Sequence, residues 1–354
     1  MILTTFGNRV KSIRESQGIS QIRLSSMTGI VREQISRIEH GQINPTLETI
    51  AKLSVAFNTP LSDLMDFHVE KSIIKIKNEK LKPFVKWAGG KTQVLDKIRQ
   101  LAPHEFNTYY EPFLGGGAVF FDLQPEKAVI SDSNQELILA FKCFQKSADY
   151  AALVQELISH QNNHSEEYYY QIREMDKLPN FLELPLFVRA ARMIYLNKSC
   201  FNGLYRVNSK GYFNVPSGKY ERVNAYDKTL YDSIHTYLSN GKIKIVSDDF
   251  EKVVETAKAG DFVYFDPPYD TFEEQNNFTA YSKDVFGKSE QSRLASVYKS
   301  LTEKGVFVML SNHNTKYINE LYKDYNIHTI QAKRSINSKA TGRGNVEEVI
   351  ITNY

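Results

Sequence analysis

A short segment, Asp266-Pro267-Pro268-Tyr269, directly follows the apolar run of residues 262–265. The prolines stiffen the turn, and the carboxylate of Asp266 and the free carbonyl of Pro267 can accept two hydrogen bonds from one planar NH2 group. Tyr269 can stack on the ring that carries this amine. Because the lone pair of such an amine is delocalised, two acceptors for its hydrogens help to localise that pair during attack. The segment therefore predicts chemistry on an exocyclic ring amine.

A glycine-rich turn forms the second constellation, with Glu111, Phe113, Gly115 and Gly117 in a strand, turn and helix sequence. Glycine lets the backbone approach a ligand closely at a helix N-terminus. Nineteen residues after Phe113, Asp132 ends the next strand, where a carboxylate can accept both hydroxyls of a ribose. The pair predicts a nucleoside-containing cofactor. The G-x-G-x-x-G spacing for a pyrophosphate is absent, which disfavours NAD and favours S-adenosylmethionine.

Strands that alternate with helices are needed to position these residues. Beyond Pro83, apolar strand-like runs are separated by longer helical patterns, which predicts a doubly wound, mostly parallel sheet. The predicted strands are residues 108–111, 128–131, 242–246, 262–265, 306–310 and 348–352. Ligands of such sheets bind at the carboxyl ends of the strands, where Asp132 and Asp266 fall.

The composition is that of an ordinary globular protein. With 354 residues, 42% of them hydrophobic and 24% charged, the chain is predicted to form about two domains and is neither disordered nor fibrous. No run approaches the roughly 18 apolar residues that span a bilayer, and the N-terminus has no signal-peptide pattern. Cys143 and Cys200 have no zinc-type spacing and are too few for a disulfide framework. We therefore expect no metal, no membrane partner and a reducing cytoplasm.

Positive charge is concentrated in three segments. Residues 71–91, 197–222 and 331–345 carry net charges of +6, +4 and +4, whereas the whole chain carries +3. Such segments suit a phosphate-binding surface if the fold brings them together. Solvated surface patches are an equal alternative from charge alone.

Helical periodicity in residues 1–67 predicts four or five short helices, with Gly29 supplying the turn between two of them. A lysine-rich stretch, 68–82, is predicted to be a linker. The remainder, 83–354, is the predicted α/β domain, with an insertion at about 137–240.

Residues 19–64 resemble the phage-repressor-like helix-turn-helix family. By that family's geometry, the second helix begins near Gln21 and the recognition helix runs from about Val31 to Glu39. The side chains that this helix presents to the major groove are Arg32, Glu33, Gln34 and Arg37. Residues 1–70 hold seven basic and seven acidic side chains, so a dimerisation or protein-contact role is the alternative to DNA binding.

Six segments of the α/β domain occur in an order that resembles Dam-like, D12-class DNA adenine N6-methyltransferases. They are FVKWAGGK, YYEPFLGGG, ISDSN, SDDF, DPPY and FTAY. The resemblance covers residues 83–354 and implies a Rossmann-like S-adenosylmethionine-dependent enzyme with an inserted, largely helical target-recognition domain. It also implies that the target adenine is rotated out of double-stranded DNA, since its N6 cannot reach a methyl donor from within the stack.

The resemblance also assigns roles to individual residues. The implied cofactor contacts are Trp87, Lys91, Asp132 and Asp266. Asp249 and Phe250 of the SDDF segment are implied to lie beside the cofactor adenine. Asp266, Pro267, Pro268 and Tyr269 are implied to form the catalytic loop.

The segment from Asn197 to Gly218 is basic and aromatic, and Gly211 and Asn208 predict a hairpin turn within it. It resembles the target-recognition segment of GATC-specific members of the family. On that match Phe201 wedges into the base stack and Arg206 pairs with a guanine edge. The other implied base-facing or nearby residues are Leu204, Asn208 and Pro216, with Lys86 as a further base or phosphate contact. We therefore expect GATC to be the recognition site.

Three local features carry less information. Residues 311–315 depart from the small-plus-acidic pair usual in the family, so the resemblance assigns this loop no role. His160 and His164 have a spacing that could suit a metal, but no supporting motif is present and a solvated helix face is favoured. Residues 334–343 are expected to be either a phosphate-contacting loop or a flexible one.

Two alternatives to an adenine methyltransferase remain open. The chain could be a transcriptional regulator whose larger domain senses the cofactor, although its intact DPPY and glycine motifs argue against a decayed enzyme. It could also methylate cytosine N4, where Ser more often occupies the position of Asp266. A cognate restriction endonuclease is a further expected partner, and the helix-turn-helix could regulate its gene.

Overall fold

The computed structural model describes residues 2–64, 81–271, 286–333 and 345–354. The chain forms two compact units that divide between Asn78 and Glu79. Most of the predicted linker, the FTAY segment and the loop of residues 334–343 lie outside the described residues.

The N-terminal unit is a bundle of short helices. They are α1 (Ile2–Ser16), α2 (Gln21–Thr28), α3 (Arg32–Glu39), α4 (Leu47–Ala56) and α5 (Leu61–Leu64). The side chain of Ser20 caps α2 by accepting the amide hydrogen of Arg23, and Gly29 ends that helix with φ at 70°. These are the local signals that start and stop a helix. The predicted helix-turn-helix arrangement is confirmed, with α2 starting at Gln21.

One apolar face of each longer helix packs into a common core that includes Val10, Leu24, Ile35 and Leu53. Met27 and Leu47, which share the same apolar periodicity in the sequence, are instead 48% and 79% exposed. Periodicity identifies the apolar positions of a helix, but only the packing of its neighbours decides which of them are covered.

The C-terminal unit is built on a seven-stranded sheet. The strands are β1 (Tyr109–Glu111), β2 (Ala128–Ser131), β3 (Ile243–Val246), β4 (Phe262–Phe265), β5 (Phe307–His313), β6 (Asn326–Lys333) and β7 (Asn345–Thr352). Their order is β3-β2-β1-β4-β5-β7-β6, and the first five in this order run parallel. All four residues of β4 are buried, as expected for a central strand covered on both faces.

Strand β6 was not predicted from the sequence. This strand pairs antiparallel with β7, which itself runs antiparallel to β5 and lies between the two. The mixture of polar and apolar residues in β6 gives neither a continuous apolar run nor strict alternation, so its strand character depends on its pairing with β7.

Helices cover both faces of this sheet. They are α6 (Leu95–Leu101), α7 (Ala118–Leu123), α8 (Gln135–Cys143), α9 (Ser147–Asn162), α10 (Glu166–Glu174), α11 (Leu186–Ser199), α12 (Lys228–Leu238), α13 (Phe250–Val254), α14 (Lys288–Glu303) and α15 (Lys316–Leu321). Five of them, α8 to α12, lie between β2 and β3 in the chain. The fold class predicted from the sequence, a doubly wound α/β domain joined to an all-α N-terminal domain, is confirmed.

Three further observations concern membrane-spanning helices, metal clusters and cysteines. Within the described ranges no helix is long and apolar enough to cross a membrane. Over the same residues no cluster of three or more His, Cys, Asp or Glu side chains suits a metal ion. Cys143 and Cys200 are both buried free thiols.

Candidate active site

The sheet has a topological switch point between β1 and β4. From β1 the chain proceeds outward through β2 and β3, and it then returns to β4 on the other side of β1. Crevices for ligands form at the carboxyl ends of strands at such points. Glu111 ends β1, while Asp132 and Asp266 directly follow β2 and β4. The sheet topology therefore gathers at one edge the carboxylates that the sequence places far apart.

An ion pair joins the FVKWAGGK segment to the DPPY segment. Nζ of Lys91 lies 2.7 Å from Oδ2 of Asp266, and these side chains are only 7% and 17% exposed. Lys91 also donates to the carbonyl oxygen of Gly89 at 2.6 Å. Removing one partner of a buried pair costs about 3–5 kcal/mol, because the other charge stays buried and uncompensated.

The second carboxylate oxygen of Asp266 has no such partner. Oδ1 is buried and accepts no hydrogen bond from any described residue. A buried acceptor left unsatisfied costs about 1–3 kcal/mol, so this atom marks a place where a hydrogen-bond donor of a ligand fits. Burial raises the pKa of Asp266, and the ammonium group of Lys91 opposes the rise.

Tyr269 is fixed at the edge of this pair. Nζ of Lys91 lies 4.8 Å from the centre of its ring, and the ring of His313 meets it edge-on with centroids 4.9 Å apart. Its hydroxyl is 3.4 Å from Oε2 of Glu348. These contacts hold the aromatic ring beside Asp266 from several directions.

Buried amides support the DPPY segment from β5 and α14. Gln291 donates to the carbonyl oxygen of Pro268 at 2.9 Å, and the amide of Asn312 donates to Gln291 at 3.1 Å. Oδ1 of Asn312 accepts the backbone amide hydrogen of Asp270 at 2.9 Å. Thr315 donates to the carboxylate of Asp270 at 2.6 Å. Residues 311–315, to which the resemblance assigned no role, thus position the DPPY segment from the end of β5.

A hydrogen bond joins Asp132 to the glycine turn. Oδ2 of Asp132 accepts the amide hydrogen of Gly115, and Oδ1 accepts that of Asn134, both at 2.8 Å. Gly115 has φ at 51°, and a Cβ there would lie 2.9 Å from Cδ1 of Trp87. Gly117 has φ at 74° at the N-cap of α7. Both glycines therefore occupy conformations that side chains disfavour.

Glu111 lies below the crevice and is only 2% exposed. Its Oε2 accepts the hydroxyl hydrogen of Tyr109 at 2.8 Å. Burial raises the pKa of Glu111 well above its ordinary value, the hydrogen bond from Tyr109 opposes the rise, and the nearby charge of Asp266 adds to it.

Asp249 and Phe250 have different surroundings. The carboxylate of Asp249 forms two hydrogen bonds of 2.8 Å with the guanidinium of Arg293 and also caps α13. That same guanidinium lies 4.0 Å from the centre of the Phe250 ring. The ring of Phe113 lies 5.4 Å from that of Phe250, and Phe286 completes an aromatic cluster. Phe113 and Phe250 thus form an apolar wall, whereas the Asp249 carboxylate is already paired with Arg293.

The predicted hairpin forms between Arg206 and Asn214. Val207 pairs antiparallel with Phe213, and Gly211 turns the chain with φ at 84°. Oδ1 of Asn208 accepts the amide hydrogens of Lys210 and Tyr212 at 2.9 and 3.1 Å, so its side chain stabilises the turn.

The residues expected to touch DNA lie on the surface of this segment and beside it. Those that are exposed are Lys86, Phe201, Arg206, Asn208 and Pro216, and Leu204 is half-buried. Phe201, with 53% of its surface exposed, is an unusually large apolar side chain to leave in water. Nε of Arg206 donates to Oδ1 of Asn214 at 2.7 Å, a contact that the sequence did not suggest.

In the N-terminal unit, α3 presents a polar face. Arg32, Glu33, Gln34 and Arg37 are exposed, whereas Ile35, Ile38 and Glu39 are buried. Gln21 is half-buried, and its amide donates to Oε2 of Glu39 at 2.8 Å. Arg14 donates to both oxygens of the same carboxylate.

The expectation of a solvated helix face at His160 is wrong. His160 is 5% exposed, stacks on Tyr195 with ring centroids 5.0 Å apart and forms a 2.8 Å hydrogen bond with Tyr168. Burial lowers its pKa to about 4. His164 bonds to the hydroxyl of Tyr195 at 2.7 Å. The packing of α9 against α11 turns this polar residue inward, which the sequence spacing alone does not reveal.

The site suits a nucleoside cofactor that carries positive charge. Asp132 retains lone pairs for ribose hydroxyls, the glycine turn leaves backbone exposed to a ligand, and Phe113 and Phe250 offer a flat apolar wall. Oδ1 of Asp266 adds an unsatisfied buried acceptor. The residues present therefore fit S-adenosylmethionine.

Comparison with known proteins agrees with this geometry. Residues 87–336 match the family model described as "D12 class N6 adenine-specific DNA methyltransferase", and residues 10–64 match a helix-turn-helix model. A type II methyltransferase of Lactococcus lactis subsp. cremoris, M1.LlaDCHI, is 48% identical over 77% of this chain and 96% of its own length.

Two further relatives are similar over the same part of the chain. M.MjaIII, a type II methyltransferase of Methanocaldococcus jannaschii, is 40% identical over 77% of this chain and 99% of its own length. A DNA adenine methylase of Haemophilus influenzae is 34% identical over 77% of this chain and 93% of its own length. The chain therefore belongs to the D12 class of N6 adenine-specific DNA methyltransferases and uses S-adenosylmethionine.

Proposed function

We propose that this enzyme methylates adenine N6 within GATC in double-stranded DNA. The observation that carries the proposal is the hairpin beside the active site, which holds Arg206 exposed on a turn stabilised by Asn208. Its sequence resembles the recognition segment of GATC-specific members of the family. An exposed, oriented guanidinium suits the two acceptors of a guanine edge in the major groove.

The proposed cofactor site uses the switch-point crevice. Asp132 accepts the ribose hydroxyls, and the turn from Gly115 to Gly117 lines the crevice. Phe113 and Phe250 enclose the adenine of the cofactor. The other proposed contacts are Trp87, Lys91, Glu111 and Asp266, whereas Asp249 acts through its ion pair with Arg293. The cofactor supplies a methyl group that its sulfonium makes electrophilic.

The catalytic loop acts on the target amine. Oδ1 of Asp266 and the carbonyl oxygen of Pro267 accept the two N6 hydrogens, which helps to localise the nitrogen lone pair. Tyr269 stacks on the adenine ring, and Pro268 and Gln291 stiffen the loop. Lys91 favours the ionised form of Asp266 and orients its carboxylate. The adenine reaches this loop by rotation out of the duplex.

On the DNA side, each exposed residue has a proposed contact. Phe201 wedges into the gap left by the rotated base. Leu204 and Pro216 face neighbouring bases, and Asn208 lies close to them. Lys86, which is exposed next to Trp87, contacts a base or a phosphate.

The test is methyl transfer from labelled S-adenosylmethionine to unmethylated duplexes that differ only in one GATC site. Label recovered as N6-methyladenine only from the GATC duplex is the expected result. N6-methyladenine in other sequences would overturn the GATC assignment and leave the chemistry intact. N4-methylcytosine would overturn the assignment of the target amine.

A second proposed function belongs to the N-terminal unit. The four exposed side chains of α3, which are Arg32, Glu33, Gln34 and Arg37, support binding in a major groove, with Gln21 at the start of α2 near the backbone. We propose that the unit binds an operator near the gene of this enzyme or of a cognate restriction endonuclease. Both activities would serve a cytoplasmic restriction-modification system.

Footprinting with the full chain tests this second proposal. We expect protection of an upstream sequence that is lost in the double variant Gln34→Ala/Arg37→Ala, while methyl transfer is retained. Protection that persists in the variant would exclude α3 as the reading helix. The absence of protection in the wild type would favour a dimerisation or protein-contact role.

A further inference from the structure

We infer that Tyr205 is a positioning residue that couples the cofactor site to the recognition hairpin. Its ring stacks on the indole of Trp87 with centroids 5.1 Å apart and planes inclined by 28°. Trp87 is a proposed cofactor contact, and Tyr205 directly precedes Arg206. The inference rests on the proposed function and adds that DNA and cofactor bind cooperatively.

On the cofactor side, Trp87 is in close contact with the glycine turn. A Cβ at Gly115 would lie 2.9 Å from Cδ1 of the indole, and one at Gly116 would lie 3.4 Å from Cβ of Trp87. The amide of Gly115 in turn donates to Asp132. A displaced indole therefore displaces backbone that lines the proposed cofactor crevice.

On the DNA side, Tyr205 contacts the opposite arm of the hairpin. Its ring centroid lies 5.5 Å from that of Phe213, and the backbone amide of Phe213 donates to Asp176 at 2.7 Å. Asp176 also pairs with Arg192 at 2.8 Å. Tyr205 thus lies between the hairpin arm that Asp176 holds and the indole of Trp87.

A second connection runs parallel to the stack through Asn197, which is fully buried. Its Oδ1 accepts the amide hydrogen of Lys86 at 2.9 Å, and its Nδ2 donates to the carbonyls of Lys86 and Gly203 at 2.8 and 3.0 Å. A Cβ at Gly203 would lie 2.5 Å from Cδ of Lys86. The start of the recognition segment and the FVKWAGGK segment therefore pack directly against each other.

This geometry predicts reciprocal coupling. DNA bound to the hairpin restricts Tyr205 and hence Trp87, so the cofactor meets a glycine turn that is already positioned. By linkage, the cofactor must strengthen DNA binding by the same factor. We expect a factor of about tenfold, which is within the usual range for coupled sites.

The experiment uses the full chain and S-adenosylhomocysteine, which binds without transferring a methyl group. Its dissociation constant is measured by equilibrium dialysis, alone and with a saturating duplex that the wild type methylates. Trp87 is the only tryptophan in the sequence, so its fluorescence gives a second, local readout. The test variants are Tyr205→Leu and Tyr205→Met, and Tyr205→Phe is the matched control that keeps the ring.

The expected result is about tenfold coupling in the wild type and the Phe variant, falling below about twofold in the Leu and Met variants. A variant that only lost stability would bind S-adenosylhomocysteine more weakly both with and without DNA, and the ratio of the two affinities would be unchanged. Wild-type coupling in a folded Leu or Met variant, or a wild-type factor of one, would overturn the inference. Methylation of another sequence overturns only the GATC proposal, and coupling is then measured on that sequence. A wild type that methylates no duplex would overturn both.

Discussion

The catalytic loop and the recognition hairpin are stabilised in different ways. The catalytic loop holds Asp266 in a largely buried ion pair with Lys91 and is supported by the buried amide of Asn312. The hairpin keeps Arg206 in solvent and fixes it with the hydrogen bond that its guanidinium donates to Asn214 of the opposite arm. One region is preorganised by burial and charge, and the other by local turn geometry.

The difference indicates that the two regions have separate roles in the reaction and in the choice of site. An acceptor that must act on a weak nucleophile gains most from a site that excludes water and needs no reorganisation. Side chains that select a DNA sequence must exchange water for base edges, so they remain exposed until DNA binds. Substitutions in the catalytic loop should therefore change the rate of methyl transfer, whereas those in the hairpin should change the choice of site.

The largest expected effect is that of Asp266→Asn. Loss of the charged acceptor should lower kcat by about 10³-fold, in line with the removal of one group that stabilises a transition state. Single-turnover methyl transfer on saturating DNA measures it. Asp96→Asn, which alters an exposed surface ion pair, is the matched control and should leave kcat unchanged. Full activity of the Asp266 variant would contradict the proposed role.

Arg206→Ala should reduce discrimination between GATC and sites with one altered base by about 10- to 100-fold, since a paired base contact contributes about 1–3 kcal/mol of discrimination. The rate on the best site should change little. Asn214→Ala keeps the guanidinium but removes its hydrogen bond, so a smaller loss of discrimination is expected. Competition assays with matched duplexes measure both variants. Unchanged site preference in Arg206→Ala would show that another residue reads the guanine.

Asn312→Ala tests the support of the catalytic loop from β5. It leaves the amide of Asp270 without its acceptor and Gln291 without its donor, which permits a displacement of the DPPY segment. We expect kcat to fall about tenfold with KM for DNA unchanged, because misplaced groups slow the chemical step. A change in KM alone would place the role of Asn312 in DNA binding instead.

The smallest expected effect is a shift in pH dependence. Asp266 is a stronger acceptor when it is ionised, and burial raises its pKa, so kcat/KM should fall as the pH drops through a value above that of an exposed aspartate. Lys91 lowers this pKa, so Lys91→Met should move the acid limb to higher pH by about one unit. If the acid limb of the kcat/KM profile lay at the same pH in both proteins, the limb would reflect the titration of a group other than Asp266.

Much of the secondary structure can be predicted from patterns within short stretches of the sequence. The strands at residues 128–131 and 262–265 and the hairpin turn at Gly211 were predicted from local signals, and the helix beginning near Gln21 was predicted from the resemblance to the helix-turn-helix family. Each depends on interactions between near neighbours in the chain, such as alternation, capping and turn conformation. The motif residues of the crevice could be identified for the same reason, since each motif lies within a few positions.

Only the tertiary structure revealed the contacts between distant segments. The sequence itself determined the family, the chemistry and the elements that carry the motifs. Folding decided that Asn312 supports the catalytic loop, that Arg293 pairs with Asp249 and that Tyr205 stacks on Trp87. It also placed β6 at the edge of the sheet and His160 in a buried aromatic cluster. Such contacts join residues tens to more than a hundred positions apart, so neither residue type nor spacing reveals which partner the packing will bring.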